Sequence, residues 1–184
     1  MNKSCSMRFC MKWISPVLGV FCMIISVDGV ADTNAAFTLP SGVQVEIVES
    51  NFQRSLFKIS ECREHEEVCF INGHIPFGVD VGLPKSYVKS IRITYQGQSY
   101  SLDVSDMYNA WGTRPLEYKG KIRYFGGKCF DAKNCQFRGL FSDAAGSFVA
   151  EWRIVNGLSA RTVLTSSNDV INLFITHIDP PEFD

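Results

Sequence analysis

Apolar and polar residues alternate along much of this chain with a period of two, the mark of half-buried β-strands. Val43, Val45 and Ile47 are separated by Gln44 and Glu46, and Phe57 and Ile59 flank Lys58. A hairpin between strands at 43–47 and 52–60 follows from this pattern. Ile91, Ile93 and Tyr95 alternate with Arg92 and Thr94. Beyond Gln96-Gly97, Tyr100, Leu102 and Val104 alternate with Ser99, Ser101 and Asp103. Phe148, Ala150, Trp152 and Ile154 alternate with Glu151 and Arg153, and Asn156-Gly157 then supplies the strongest two-residue hairpin signal. Leu158–Thr165 returns from that turn. Val170–Ile178, rich in β-branched and aromatic residues, reads as one more strand. Asn72-Gly73 marks another tight turn, and residues 122–125 and 136–141 read as short strands.

Helical signals are sparse. Ser105 is suited to an N-cap, Asp106–Trp111 to one or two turns of helix, and Gly112 to their end. Residues 32–40 read as a flexible lead-in, and Pro180-Pro181 prevents the tail from continuing a strand. The predicted fold is mainly β: one antiparallel β-sandwich or curved-sheet domain spanning residues 32–184, with one short helix and two local disulfides.

Residues 1–31 have the three parts of a cleavable signal peptide. Lys3, Arg8 and Lys12 precede the apolar run Ile14–Val27, and Gly29-Val30-Ala31 sets small residues before a cut near Ala31/Asp32. That apolar run is shorter than the ~20 residues needed to span a bilayer as a helix, so no stable membrane anchor is expected after cleavage. The reading implies a periplasmic or secreted protein. The lack of an Asn-x-Ser/Thr sequon after residue 31 tilts it towards a bacterial periplasm.

Export gives meaning to the cysteines. Cys62, Cys69, Cys129 and Cys135 remain after residue 31, an even number that reads as disulfides in an oxidising compartment. Of three possible connectivities, Cys62–Cys69 and Cys129–Cys135 are favoured, because each pair encloses a polar, turn-like insert. A four-thiolate zinc site is the rival, and neither spacing is Cys-x-x-Cys, so no metal and no cofactor is expected.

The charge pattern singles out two stretches. The chain from Asp32 onward carries 15 basic and 18 acidic residues, net −3, which argues against a nucleic-acid partner. Within it, residues 114–138 hold seven basic residues against Glu117 and Asp131, a local excess of +5. Tyr108, Trp111, Arg114, Tyr118, Arg123, Tyr124 and Lys128 lie in or beside that stretch. They belong to the residue types favoured at interfaces, or add positive charge to them. Glu64, Glu66 and Glu67 make the Cys62–Cys69 insert an acidic counterpart. These ten residues form the predicted partner-binding set.

Catalytic motifs are missing from the sequence. There is no Gly-x-Ser-x-Gly and no His-x-x-x-His, and the histidines are His65, His74 and His177 alone. No catalytic residue is assigned. Carboxylates such as Glu117, Asp131 and Asp143 near the aromatics leave a small glycan or peptidoglycan hydrolase as a lesser alternative. A structural or ligand-carrying envelope protein is another. The expectation is an exported, non-enzymatic binding protein, most concretely a periplasmic inhibitor or immunity protein that neutralises a toxin or wall-degrading enzyme.

Overall fold

The computed structural model describes residues 32–60, 62, 69–110, 124–142 and 144–180. Its strands are β1 (Thr33–Thr38), β2 (Gln44–Asn51), β3 (Ile59–Ser60), β4 (Phe70–Ile71), β5 (Ser86–Tyr95), β6 (Gln98–Leu102), β7 (Phe125–Asp131), β8 (Asn134–Phe141), β9 (Phe148–Val155) and β10 (Leu158–Thr165). One α-helix follows, α1 (Asn168–Thr176). The first sheet has the order β1-β2-β5-β6, the second β10-β9-β8-β7, and β3 pairs with β4 alone. Neighbours within each sheet are antiparallel.

The alternation in the sequence decides which side chains meet. Val45, Ile47, Ile91 and Ile93 of the first sheet share one core with Phe137, Phe141, Phe148, Trp152 and Ile154 of the second. The two sheets therefore pack face to face, as a mainly-β sandwich requires. Aromatic rings dominate the second sheet's contribution. Phe137 stacks on Trp152 at 5.7 Å, and Phe141 stacks on Phe148 at 5.3 Å.

A third layer covers part of the second sheet's outer face. Ile171 and Phe174 of α1 pack on Val149, with Leu140, Val163 and Ile178 around them. This element overturns the reading of Val170–Ile178 as a strand. Ile171, Phe174 and Ile178 recur at helical spacing, and that periodicity prevails over β-branched composition. The helix expected at 105–111 does not form over its described part. Asp106 has φ of 64°, and Ser105 gives its hydroxyl to Asp103 at 2.6 Å instead of capping a helix. Among the described residues the one α-helix is at 168–176.

Two further expectations change. Residues 33–38 of the supposed flexible lead-in form β1, which buries Ala35 and sets Phe37 5.1 Å from Phe125. Asp32 anchors its start through Lys89 at 2.8 Å and through Ser50. The hairpin expected between 43–47 and 52–60 is absent: β2 pairs with β1 and β5, and β3 with β4. By contrast, Gln96-Gly97 and Asn156-Gly157 do close β5–β6 and β9–β10, all four residues having positive φ.

Both cysteine pairs are disulfides, Cys62–Cys69 and Cys129–Cys135. The second joins directly paired positions of β7 and β8. Two disulfides point to an oxidising, exported environment. Among the described residues no helix is long and apolar enough to cross a membrane.

Candidate functional site

The two ends of the sandwich are built differently. At one end lie the short turns: 40–42, Gln96-Gly97, 132–133 and Asn156-Gly157. Hydrogen bonds join two of the tips, Gly157 N–H to Lys133 O at 2.9 Å and Asn156 N–H to Asn134 Oδ1 at 3.0 Å. The long connections 52–85, 103–124 and 142–147 leave from the other end. Contacts hold several of these together: Phe77 packs on Phe148 at 6.2 Å, Tyr108 N–H donates to Phe77 O at 2.9 Å, and Ser142 N–H donates to Ala110 O. Gly78 lies within this weave, at φ of 89°. A Cβ there would stand 1.9 Å from the Tyr108 carbonyl, so the close approach requires glycine.

An open groove of about 410 Å³ runs along this end, bordered by Phe57, Asn72, Tyr87, Asp103, Asp106 and Tyr108. Its floor is aromatic. Phe52 stacks on Phe57 at 4.7 Å, and Tyr87 meets Phe57 edge-on at 5.3 Å. Asn72-Gly73 forms the rim by turning β4 back onto His74, and Asn72 Oδ1 accepts the Lys58 N–H at 3.0 Å.

Several polar groups at the groove are matched to one another. Asp106 holds His74 Nδ1 at 2.9 Å. That contact orients the imidazole as a general base is oriented, but the nearby Ser105 hydroxyl is committed to Asp103. Burial raises the Asp103 carboxyl, yet bonds from the Ser105 hydroxyl and amide, with Arg161 at 3.3 Å, outweigh it and hold the carboxyl below its ordinary value. Among the described residues, no three His, Cys, Asp or Glu side chains converge to hold a metal ion.

Tyr108 is only 4% exposed. Burial, aided by Asp106, pushes its phenol up to about 12. A group whose proton is held more tightly when folded stabilises the fold fully below its unfolded value, about 10, and that contribution is lost as pH rises through about 12. Alkaline ultraviolet titration is expected to show one late-ionising tyrosine that disappears in Tyr108→Phe. An unchanged titration in that variant contradicts the assignment.

A second concentration of polar chemistry lies on the outer face of the second sheet. Arg138 and Glu151 are both buried and meet at 2.8 Å. The Arg138 guanidinium lies 4.9 Å from the Phe174 ring and donates to His177 O at 3.2 Å. Glu151 also receives Arg153 at 3.5 Å and the Thr162 hydroxyl at 3.1 Å. Two donors there are buried without any partner, Gln136 Nε2 and Arg138 Nε.

Of the predicted partner-binding set, Tyr108, Tyr124 and Lys128 fall among the described residues. Tyr108 is packed into the groove wall instead of an exposed patch, because its ring fills space beside Phe52 and Phe57. Tyr124 is half-buried against the core, and Lys128 stands on β7 near the Phe130 ring at 5.8 Å. Trp111, Arg114, Tyr118, Arg123, Glu64, Glu66 and Glu67 lie outside the described residues, as do Glu117, Asp143, His65 and residues 1–31. Asp131 ends β7, and its carboxyl is held below its ordinary value chiefly by Asn134. Sequence reasoning passed over the His74–Asp106 pair and the Arg138–Glu151 pair, whose members are far apart along the chain or on different strands. It likewise passed over Gln136 and Arg153. The alternation places Gln136, Arg138, Glu151 and Arg153 on one sheet face, and that was the available signal. Comparison with protein-family models, with curated proteins and with solved structures finds no match to this chain.

Proposed function

We propose that this chain is an exported, non-catalytic binding protein of the cell envelope, acting in the periplasm as an inhibitor or immunity protein for a toxin or wall-degrading enzyme. One observation carries the reading: described residues of the connections 52–85 and 103–124 border an open groove in which Phe57, Tyr87 and Tyr108 supply the aromatic lining. A packed sandwich with connections collected at one end presents them as a preformed surface, which lowers the ordering cost of binding. Aromatic floors with polar rims are typical of protein interfaces. The disulfides and the leader-like residues 1–31 support the compartment.

The test uses residues 32–184, immobilised and exposed to envelope extract of the source organism. One partner protein is expected to be retained, to lose activity on stoichiometric addition of the chain, and to be released by His74→Glu at the groove rim. Hydrolysis of peptidoglycan by the purified chain, abolished by Asp106→Asn, contradicts the proposal and establishes an enzyme.

A further inference from the structure

Asn-Gly occurs twice in the chain, at Asn72-Gly73 and Asn156-Gly157. Both pairs form the same kind of turn. Asn72 and Gly73 have φ of 54° and 83°, and Asn156 and Gly157 of 52° and 82°. Ile71 and His74 close the first turn by exchanging backbone bonds at 2.9 and 3.0 Å. Val155 and Leu158 face each other across the second. Local sequence and backbone are therefore alike, and the surroundings differ.

At the second turn the glycine nitrogen is engaged. Gly157 N–H donates to Lys133 O at 2.9 Å, and Asn156 N–H to Asn134 Oδ1 at 3.0 Å. That turn joins two strands of 8 residues each. At the first turn, Gly73 N–H has no acceptor among the described residues, and Asn72 and Gly73 are both exposed. The turn follows β4, a strand of 2 residues paired with the equally short β3. So short a ladder opens at lower cost than that of β9 and β10. Asn72 is bound twice to Lys58: its N–H donates to Lys58 O at 2.7 Å, and its Oδ1 accepts from Lys58 N–H at 3.0 Å. Neither bond occupies the Gly73 nitrogen.

We propose that Asn72 is a site of self-modification by deamidation, and that the fold protects Asn156 from the same reaction. Asparagine is chemically labile, and most so before glycine, where no Cβ hinders attack. The Gly73 nitrogen gives its proton to solvent and attacks Asn72 Cγ. A new N–Cγ bond forms, the Cγ–Nδ2 bond breaks, and Nδ2 leaves as ammonia with a proton from water. The product is a cyclic succinimide. Water then adds to either ring carbonyl and opens it, giving aspartate or isoaspartate. No oxidant or reductant is consumed. Negative charge collects on Oδ1 as the ring closes, and Lys58 N–H already donates to that oxygen, as a donor in an oxyanion site does. At Asn156 the attack requires Gly157 N–H first to leave Lys133 O.

The modification bears on the groove, which Asn72 borders together with Asp103 and Asp106. Either product adds a carboxylate to that border, and isoaspartate also lengthens the backbone of the turn. This goes beyond the reading of the chain as a binding protein and does not depend on it.

The experiment holds the purified full chain, disulfides intact, at mildly alkaline pH in heavy-oxygen water, either folded in buffer or unfolded in guanidinium chloride. Peptide mass spectrometry follows conversion of amide to acid, with uptake of heavy oxygen, at each asparagine. An isoaspartate-specific methyltransferase reports that product. In the folded protein Asn72 is expected to convert roughly tenfold faster than Asn156, the scale of the hydrogen bond that Gly157 alone must break. In denaturant the two rates are expected to converge. Asn72→Gln is expected to remove most isoaspartate from the folded protein, and circular dichroism verifies the fold throughout. An Asn72 that stays intact, or an Asn156 that keeps pace with it in buffer, overturns the proposal. So does an unchanged ratio in denaturant, which assigns the difference to neighbouring residues, or isoaspartate undiminished in Asn72→Gln. None of these readouts involves a partner, so the outcome is separate from that of the inhibitor test.

Discussion

Trp152→Ala is expected to cost about 3–5 kcal/mol, the range for truncating a fully buried large aromatic. A domain with roughly 5–15 kcal/mol of total stability loses a large share of it. Trp152 is 0% exposed and sits where both sheets meet. It stacks on Phe137 and meets Phe141 edge-on at 6.2 Å. Its indole N–H donates to Asp103 O at 2.7 Å, tying the second sheet to the loop that borders the groove. Truncation therefore opens a cavity and also leaves a carbonyl short of a donor. Trp152→Phe separates these effects: it keeps most of the ring packing and loses the hydrogen bond, worth about 1 kcal/mol. Urea denaturation with both variants is the measurement. A loss below about 1 kcal/mol for Trp152→Ala contradicts the core described here.

The second large effect belongs to Arg138 and Glu151. Replacing Arg138 by leucine takes from the buried Glu151 carboxylate its nearest cation and leaves it Arg153 at 3.5 Å and the Thr162 hydroxyl, and breaking a buried pair in this way costs up to about 3–5 kcal/mol. Glu151→Leu is expected to cost a similar amount, since Arg138 then keeps only its bond to His177 O and its contact with Phe174. Replacing both together is expected to be far less harmful than the two single losses combined, because an apolar pair carries no uncompensated charge. Thermal or chemical unfolding of the four proteins in a double-mutant cycle measures the coupling. Additive losses would show that the two side chains do not act as a pair.

Most of the framework was legible in the sequence, for identifiable reasons. Gln96-Gly97 and Asn156-Gly157 require positive φ whatever surrounds them, so local chemistry alone places those turns. Ile91 and Ile93, or Trp152 and Ile154, alternate with charged residues because one face of each strand meets the other sheet. Where two local preferences compete, the sequence misleads. Val170–Ile178 has strand composition, but Ile171 and Phe174 must land together on Val149, and only a helix brings them there. Ser105 has the chemistry of an N-cap, yet Asp103 two residues earlier captures its hydroxyl and amide. The groove was less legible still. His74 and Asp106 meet only because the chain between them traverses β5 and β6 and returns, and no local pattern encodes that contact.

The unequal ends of the sandwich also bear on how the protein reaches its native state. In the second sheet every strand pairs with its sequence neighbour, so β7 to β10 assemble by successive short closures. The first sheet has one pairing of another kind, β2 with β5, which needs residues 52–85 to loop out before Asn51 can meet Ser86. Loop-closure entropy grows with the intervening length, and non-local strand pairings slow folding accordingly. The second sheet is therefore expected to form early, and the β2–β5 pairing later. The same excursion that forms the Asn72-Gly73 rim of the groove is the segment whose closure is expected to slow folding.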